Sequence, residues 1–268
     1  MKVGLNTYGF IYRESVLETI PRLAATAGVK SFEILASPGH CFPRTPRERK
    51  ELAAVIKSAG VEVSALNLRA LDQNLVSDYA DAQAMALGHY RLMVNAAAAA
   101  GIPFIVVVPG RSSSVLANQP SVLVDRFVKV IRELNALALD EGVGILLENV
   151  PFGFLGDTAS LTAMVKTLGE PNINIVLDVA NAAYVGEDYR QAYSQASRYV
   201  RMVHLSNTTM NKLSHNPFNA GVISMRDALG FFRDQTGVDY LNVEVVGSER
   251  EIVSDFGVAQ EYSMPKGI

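Results

Sequence analysis

Four short runs in the second half of the chain decide how it is read: Gly144-Ile145-Leu146-Leu147-Glu148-Asn149, Asn174-Ile175-Val176-Leu177-Asp178-Val179, Arg201-Met202-Val203-His204-Leu205 and Leu241-Asn242-Val243-Glu244-Val245. Each reads as a short apolar strand carrying one metal-capable side chain near its C-terminal end. Side chains of a strand alternate between its two faces. If the apolar neighbours Leu147, Leu177, Val179, Val203, Leu205, Val243 and Val245 point outward, then Glu148, Asp178, His204 and Glu244 point inward together. The four are spaced by 30, 26 and 40 residues. One strand-plus-helix unit of an eight-fold β/α barrel takes roughly 30. The spacing therefore predicts equivalent heights on four consecutive strands, at the face where such barrels place their active sites.

Working outward, strands are expected at about 2–7, 31–35, 61–67 and 104–108, with the quoted runs filling 144–149, 174–179, 200–206 and 240–246. Helical patterns lie between them. Val16, Leu17, Ile20, Leu23, Ala24 and Ala27 form one apolar stripe. Val124, Phe127, Val128, Ile131, Leu134 and Ala138 form another, with Asp125, Lys129, Arg132 and Glu133 facing away. Thr45, Pro46 and Glu48 spell a helix start: a cap, a proline at the first position and a capping box. Gly28, Gly60, Gly101 and Gly142 fall where helices should stop. Strand and helix alternate throughout, without a linker or low-complexity tract, which predicts a parallel sheet covered by helices. Eight such units favour closure into a single-domain α/β fold, a (β/α)8 TIM barrel spanning residues 1–268. A doubly wound open sheet is the alternative, but the Gly-rich turn it often carries after the first strand is missing.

Composition agrees. The chain has 268 residues, of which 49% are hydrophobic and 19% charged, enough for a large core and unlike a disordered chain. The net charge is −3 without a basic block, which argues against nucleic acid and against a membrane surface. The apolar stretch from Ala96 to Val108 is interrupted by Gly101 and Pro103. A single cysteine, Cys41, excludes an internal disulfide. With no secretory-type apolar segment before the first strand, it points to the cytoplasm.

Three carboxylates and an imidazole cannot converge in a partly dry site as bare charges. A divalent cation resolves the conflict. An oxygen-rich set with one nitrogen suits Mn²⁺ best, with Mg²⁺, Co²⁺ or Zn²⁺ as alternatives. Each residue alone has a plainer reading, as a helix cap, an ion-pair partner or a structural histidine. Their common phase on four strands favours one mononuclear site.

Leu147-Glu148-Asn149, Leu177-Asp178-Val179-Ala180-Asn181, Val203-His204-Leu205-Ser206 and Val243-Glu244-Val245 resemble the metal-binding strand ends of the xylose-isomerase-like barrel superfamily. That group includes sugar isomerases, ketose 3-epimerases, hydroxypyruvate isomerase, inosose dehydratase, dehydroshikimate dehydratase and type IV AP endonucleases. The resemblance runs from Val3-Gly4-Leu5-Asn6 to Glu244. It implies that Glu148, Asp178, His204 and Glu244 hold one metal ion, and that Glu148 and Glu244 also exchange protons with substrate. Several positions depart from the pattern. Asn181 stands where a histidine is frequent after the metal-binding Asp. Ser206 to Met210 lacks the arginine common in epimerases. His215, Pro217 and Gly221 keep part of a following motif. Asn67, Val108 and Asn181 stand near the places where AP endonucleases carry further histidines, which argues against a three-metal nuclease site.

Loops after each strand should line a substrate pocket: Tyr8, Phe10, Tyr12 and Arg13, then His40, Arg69, Arg111, Phe152 and Phe154. Glu33, between Phe32 and Ile34, should point inward toward substrate or a metal-bound water. Asn6, Tyr8, Glu33, Arg69, Asn181 and His215 form the expected substrate-binding set. Pro109-Gly110-Arg111-Ser112-Ser113-Ser114 could cradle an anion, His89 reads as structural, and the stretch 255–268 has a weak helical pattern that would suit packing on a partner subunit. The leading expectation is a metal-dependent isomerase or epimerase of a small sugar, sugar phosphate or keto-acid, with a homo-oligomer in keeping with the resemblance. A metal-dependent dehydratase shares the first step. A non-catalytic sugar-binding barrel is a third reading, and a DNA-repair nuclease ranks below it.

Overall fold

In the computed structural model, which describes residues 1–113, 115–116 and 118–263, eight parallel strands close on themselves. In chain order the elements are β1 (Lys2–Asn6), α1 (Val16–Thr26), β2 (Ser31–Ala36), α2 (Pro46–Ala59), β3 (Glu62–Leu68), α3 (Ala80–Ala100), β4 (Phe104–Val107), α4 (Pro120–Asp140), β5 (Gly144–Glu148), α5 (Thr158–Leu168), β6 (Ile173–Asp178), α6 (Val179–Tyr184), α7 (Tyr189–Ala196), β7 (Val200–Leu205), β8 (Asn207–Thr209), β9 (Lys212–Asn216), α8 (Met225–Arg233), β10 (Tyr240–Val243) and α9 (Glu249–Ser263). The barrel runs β1-β2-β3-β4-β5-β6-β7-β10 and returns to β1, with Lys2 level with Tyr240 across the closing pair. Closure excludes the open-sheet alternative. β8 and β9 form a separate antiparallel hairpin over the mouth, where the sequence had suggested only a loop.

The strands are buried on both faces. Leu147, Leu177, Val203, Leu205, Val243 and Val245 point outward into the cluster shared with the helices. Ala65, Val106, Leu146, Val176 and Met202 fill the inside of the barrel as a plug. Two residues further along their strands, and so on the same face, Leu146 leads to Glu148, Val176 to Asp178 and Met202 to His204. On these three strands the polar cluster therefore has an apolar layer directly beneath it.

The pairing keeps it level. Glu148 is level with Val176, Asp178 with His204, and His204 with Asn242. Moving from β5 through β6 and β7 to β10, the inward residue thus advances by two, by none and by two. Strands of such a barrel are tilted, with a shear of about eight residues shared among eight strands. Inward side chains can step only in twos, so this alternation holds the four at one height.

The helices follow their local signals. Thr45 Oγ1 accepts from the Glu48 N–H and the Glu48 carboxylate accepts from the Thr45 N–H, with Pro46 opening α2. Gly60 and Gly101 close α2 and α3 in the left-handed conformation that only glycine adopts without strain. In α4, Phe127, Ile131, Leu134 and Ala138 are buried as expected. In α1 the stripe shifts: Leu17 is exposed, and Thr19 is buried instead, its hydroxyl donating to the Ser15 carbonyl. In α9, Ile252, Phe256 and Ala259 recur at helical spacing and are buried, docking the helix on β1 and β10. The part of the 255–268 expectation that falls on 264–268 lies outside the described residues. Among the described residues no helix is long and apolar enough to cross a membrane.

Candidate metal centre

Glu148, Asp178, His204 and Glu244 converge. Each offers one ligand atom, all within 4.8 Å of one another, and all four side chains are buried. His204 directs Nδ1 into the group, 3.3 Å from Glu148, 3.1 Å from Glu244 and 3.9 Å from Asp178. Its other nitrogen, Nε2, lies 2.8 Å from Glu33 Oε2. Among the described residues this is the one cluster with the makings of a cation site.

Local structure explains the aim of each group. Asn149 donates to the Asp178 carbonyl and accepts from the Asp178 N–H, lashing the tips of β5 and β6 together. Asp178 also caps α6: its Oδ1 accepts from the Asn181 N–H at 2.6 Å. The plain reading of this acid as a helix cap is thus correct for one oxygen only. The other, Oδ2, is buried without a hydrogen-bond donor, and Glu244 Oε2 is buried with only the His204 Nδ1 contact at 3.1 Å. Glu244 is steadied through Oε1, which accepts from Asn6 Nδ2 at 3.1 Å. Two buried carboxylate oxygens facing a common point with at most one donor between them are costly alone. A divalent cation at that point would satisfy both, so the donor set fits such an ion.

The electrostatics agree. Burial alone would lower the His204 pKa, but the Glu244 and Glu33 charges, with hydrogen bonding to Glu148 and Glu244, hold it well above the ordinary imidazole value. Burial pushes Glu244 well above the usual carboxylate range against the pull of His204, and the Glu148 and Asp178 charges push the same way. Without a cation, the cluster thus keeps protons that a metal would displace.

A cavity of about 460 Å³ opens above the cluster. Glu148 and Glu244 line it from two sides, with Tyr8, Arg69, Asn181 and His215 around them. His215, on β9, has Nδ1 3.0 Å from Ser206 Oγ, 3.6 Å from Glu244 and 3.7 Å from Asp178. Its ring tilts against Tyr8 at 5.6 Å. Burial raises the Tyr8 pKa, and the Glu244 and Glu148 charges add to it. Asn67, Val108 and Asn181, the positions compared above with nuclease histidines, all line this cavity.

Other expected pocket residues lie elsewhere. Glu33 is fully buried below His204, held by Asn242 Nδ2 at 2.7 Å and Asn67 Nδ2 at 3.0 Å, so it supports the histidine rather than facing the cavity. Asn6 likewise supports Glu244. His40 is buried between the Glu14 carbonyl and the Thr7 hydroxyl and is structural. Phe10 is fully buried, and Phe154 packs on Phe127. Arg13 donates to the Gly247 carbonyl, and Tyr12 OH accepts from Arg69. Asn74 pins the backbone of Arg111, and Ser114, the end of the expected anion cradle, lies outside the described residues. Sequence reasoning missed Asn149, Ser206 and Asn242. Of these, Asn242 carried a signal: it sits two residues before Glu244 on the same strand face.

The family model for the xylose isomerase-like TIM barrel matches residues 21–262. No curated sequence matches the chain. Among solved structures, a D-tagatose 3-epimerase-like protein is 22% identical with a TM-score of 0.84, covering 98% of this chain and 97% of that one. The 3-keto-D-glucoside 4-epimerase of E. coli, in its apo form, is 16% identical with a TM-score of 0.81, covering 97% and 99%. The IolI protein, solved with a bound zinc atom, is 18% identical with a TM-score of 0.78, covering 98% and 96%. At these identities the likeness speaks for the fold, and the family match extends over most of the sequence: the chain belongs to the xylose isomerase-like TIM barrel family.

Proposed function

We propose that this protein is a divalent-metal-dependent isomerase or epimerase that moves a proton next to the carbonyl of a small sugar or keto-acid. One observation carries the reading: two carboxylates, Glu148 from β5 and Glu244 from β10, flank His204 Nδ1 at 3.3 and 3.1 Å and line the same cavity. A substrate carbon held between them has an acid or base on either side, the arrangement that proton removal and return requires. The structures of sugar epimerases on the same fold are in keeping with it.

Glu148, Asp178, His204 and Glu244 would hold the ion, manganese in our reading, with magnesium, cobalt or zinc also suited to the donor set. Bound there, it would supply Lewis acidity that polarises a carbonyl and an adjacent hydroxyl. One glutamate takes the proton from the acidified C–H, and the other returns one to the neighbouring carbon or the opposite face. Asn6 keeps Glu244 aimed. Tyr8 and His215 close the mouth and present hydrogen-bonding groups to substrate hydroxyls. The plug of Leu146, Val176 and Met202 keeps water from the reacting atoms.

The test is incubation of Mn²⁺-loaded protein with ketoses in D₂O. Deuterium wash-in next to the carbonyl is the expected result. Loss of water to give an unsaturated product would move the assignment to a dehydratase. Binding without exchange or elimination would leave a sugar-binding barrel.

A further inference from the structure

The space above Glu148 and Glu244 is bounded on one side by Leu68 and Arg69. Leu68 and Arg69, at the tip of β3, also wall a second cavity of about 520 Å³ between the β2–α2 and β3–α3 connections. Its apolar lining includes Ala36, Phe42 and Met85, and Met85 is half exposed there. The Arg44 guanidinium also lines it, stacked over the Phe42 ring at 5.3 Å, and interacts electrostatically with Glu48 without a close ion pair among the described residues. Arg69 stands on the shared wall, donating to Tyr12 OH at 2.8 Å and to Asp72 at 3.3 Å.

Beyond the metal cluster the charges are mostly positive, Asp72 being the exception and paired with Arg69. Away from the metal cluster, the charged residues lining the first cavity are Arg69 and Lys212, and those lining the second are Arg44, Arg69 and Asp72. The chain as a whole carries −3, so its cleft is locally cationic on an acidic protein. A cleft lined mainly by one sign of charge favours ligands of the other. A small neutral ketose would occupy the first cavity and leave Arg44 and the second cavity unused.

We infer that the substrate carries an anionic group, phosphate or carboxylate, at the end remote from the reacting carbons, and that this end passes Arg69 and is seated by Arg44 in the second cavity. The carbon chain lies against Phe42 and Met85, and the anion takes charge-assisted hydrogen bonds from the two guanidinium groups. This deepens the proposed function and rests on it, because the reacting end is placed at Glu148 and Glu244.

The experiment is calorimetric titration of Mn²⁺-loaded wild-type and Arg44→Ala protein with D-fructose, D-fructose 6-phosphate and 5-keto-D-gluconate, with metal content measured in each sample. At least one of the two anionic ketoses should bind about tenfold more tightly than fructose, the scale of one charged hydrogen bond. Which one does so separates phosphate from carboxylate. Arg44→Ala should retain its metal and lose most of that preference. Equal affinity for all three, no binding of any by metal-loaded protein, or a preference that survives Arg44→Ala would overturn the inference. Deuterium wash-in, read separately, tests the proton-transfer reading: exchange with neutral and anionic ketoses alike would retain that reading while removing this one.

Discussion

The two halves of the barrel treat their inward polar residues differently. On β5, β6, β7 and β10 the last inward side chains, Glu148, Asp178, His204 and Glu244, all aim at one point. On β1, β2 and β3 the corresponding polar residues are Asn6, Glu33 and Asn67, and they aim at the first group: Asn6 at Glu244, Glu33 at His204, Asn67 at Glu33. One half offers the candidate ligands and the other holds them still. A carboxylate inside a barrel is therefore not a metal ligand by chemistry alone. Glu33 is as buried as Asp178, yet its oxygens are taken by Asn67, Asn242 and His204, whereas Asp178 Oδ2 has no donor.

Removing the proposed proton-transfer groups should break this contrast most visibly. Glu148→Gln and Glu244→Gln keep size and shape and delete the base. Each is expected to lower deuterium exchange by about a hundredfold to ten-thousandfold, the usual worth of a general acid or base, while circular dichroism stays unchanged. Exchange at the wild-type rate in both variants would remove the acid/base assignment.

Metal affinity should separate ligand from support. His204→Ala removes the only nitrogen donor and should abolish retention of the ion through desalting. Glu33→Gln leaves all four donors in place but replaces the charged acceptor behind His204 Nε2. Loss of such a partner typically costs 10–100-fold in metal affinity, measured by competition with a chelating indicator. Were Glu33→Gln as damaging as His204→Ala, Glu33 would belong with the ligands, and the division between the halves would fail.

Acidity sharpens the comparison further. His204 and Glu244 both have raised pKa values without a cation, so the folded metal-free protein binds more protons than the unfolded chain. Stability then falls as pH rises. The His204 share is fully present below the ordinary imidazole value of 6.5 and is lost as pH climbs through its raised folded value, while Glu244 adds a penalty of the same sign from 4.5 upward. Metal-free protein should therefore melt at lower temperature as pH is raised from 6.5, and Mn²⁺-loaded protein should not, because the ion displaces those protons. Parallel melting curves with and without metal would show that the ion does not bind at this cluster.

What the sequence could disclose follows the same division. The barrel was legible because alternation along each strand and a roughly constant spacing are local properties, and the four candidate ligands inherited that periodicity. The supporting contacts were not. Glu33 could be read as inward from Phe32 and Ile34, but its partner His204 is 171 residues away and reached across the barrel interior. The β8–β9 hairpin stayed hidden because its strands are short and polar, held by Thr208 and Thr209 hydroxyls on the Lys212 carbonyl rather than by a buried apolar face. It nonetheless places His215 in the cavity. His40 misled because position after a strand says nothing about which way a short turn folds back.

The smallest expected effect concerns β4, whose tip carries no polar ligand. Val108 there is held from outside the barrel: Tyr90 of α3 is fully buried, and its hydroxyl accepts from the Val108 N–H at 3.1 Å. Tyr90→Phe leaves that buried N–H without an acceptor, a cost of about 1–3 kcal/mol, to be read as a lower melting temperature. Val108 lines the cavity but contributes only an apolar wall, so metal affinity should be unchanged and deuterium exchange should move less than twofold. A much larger loss of exchange, at full metal occupancy, would mean that the position of β4 sets the substrate pose. The supporting half of the barrel would then extend beyond Asn6, Glu33 and Asn67 to a strand that touches none of the four candidate ligands.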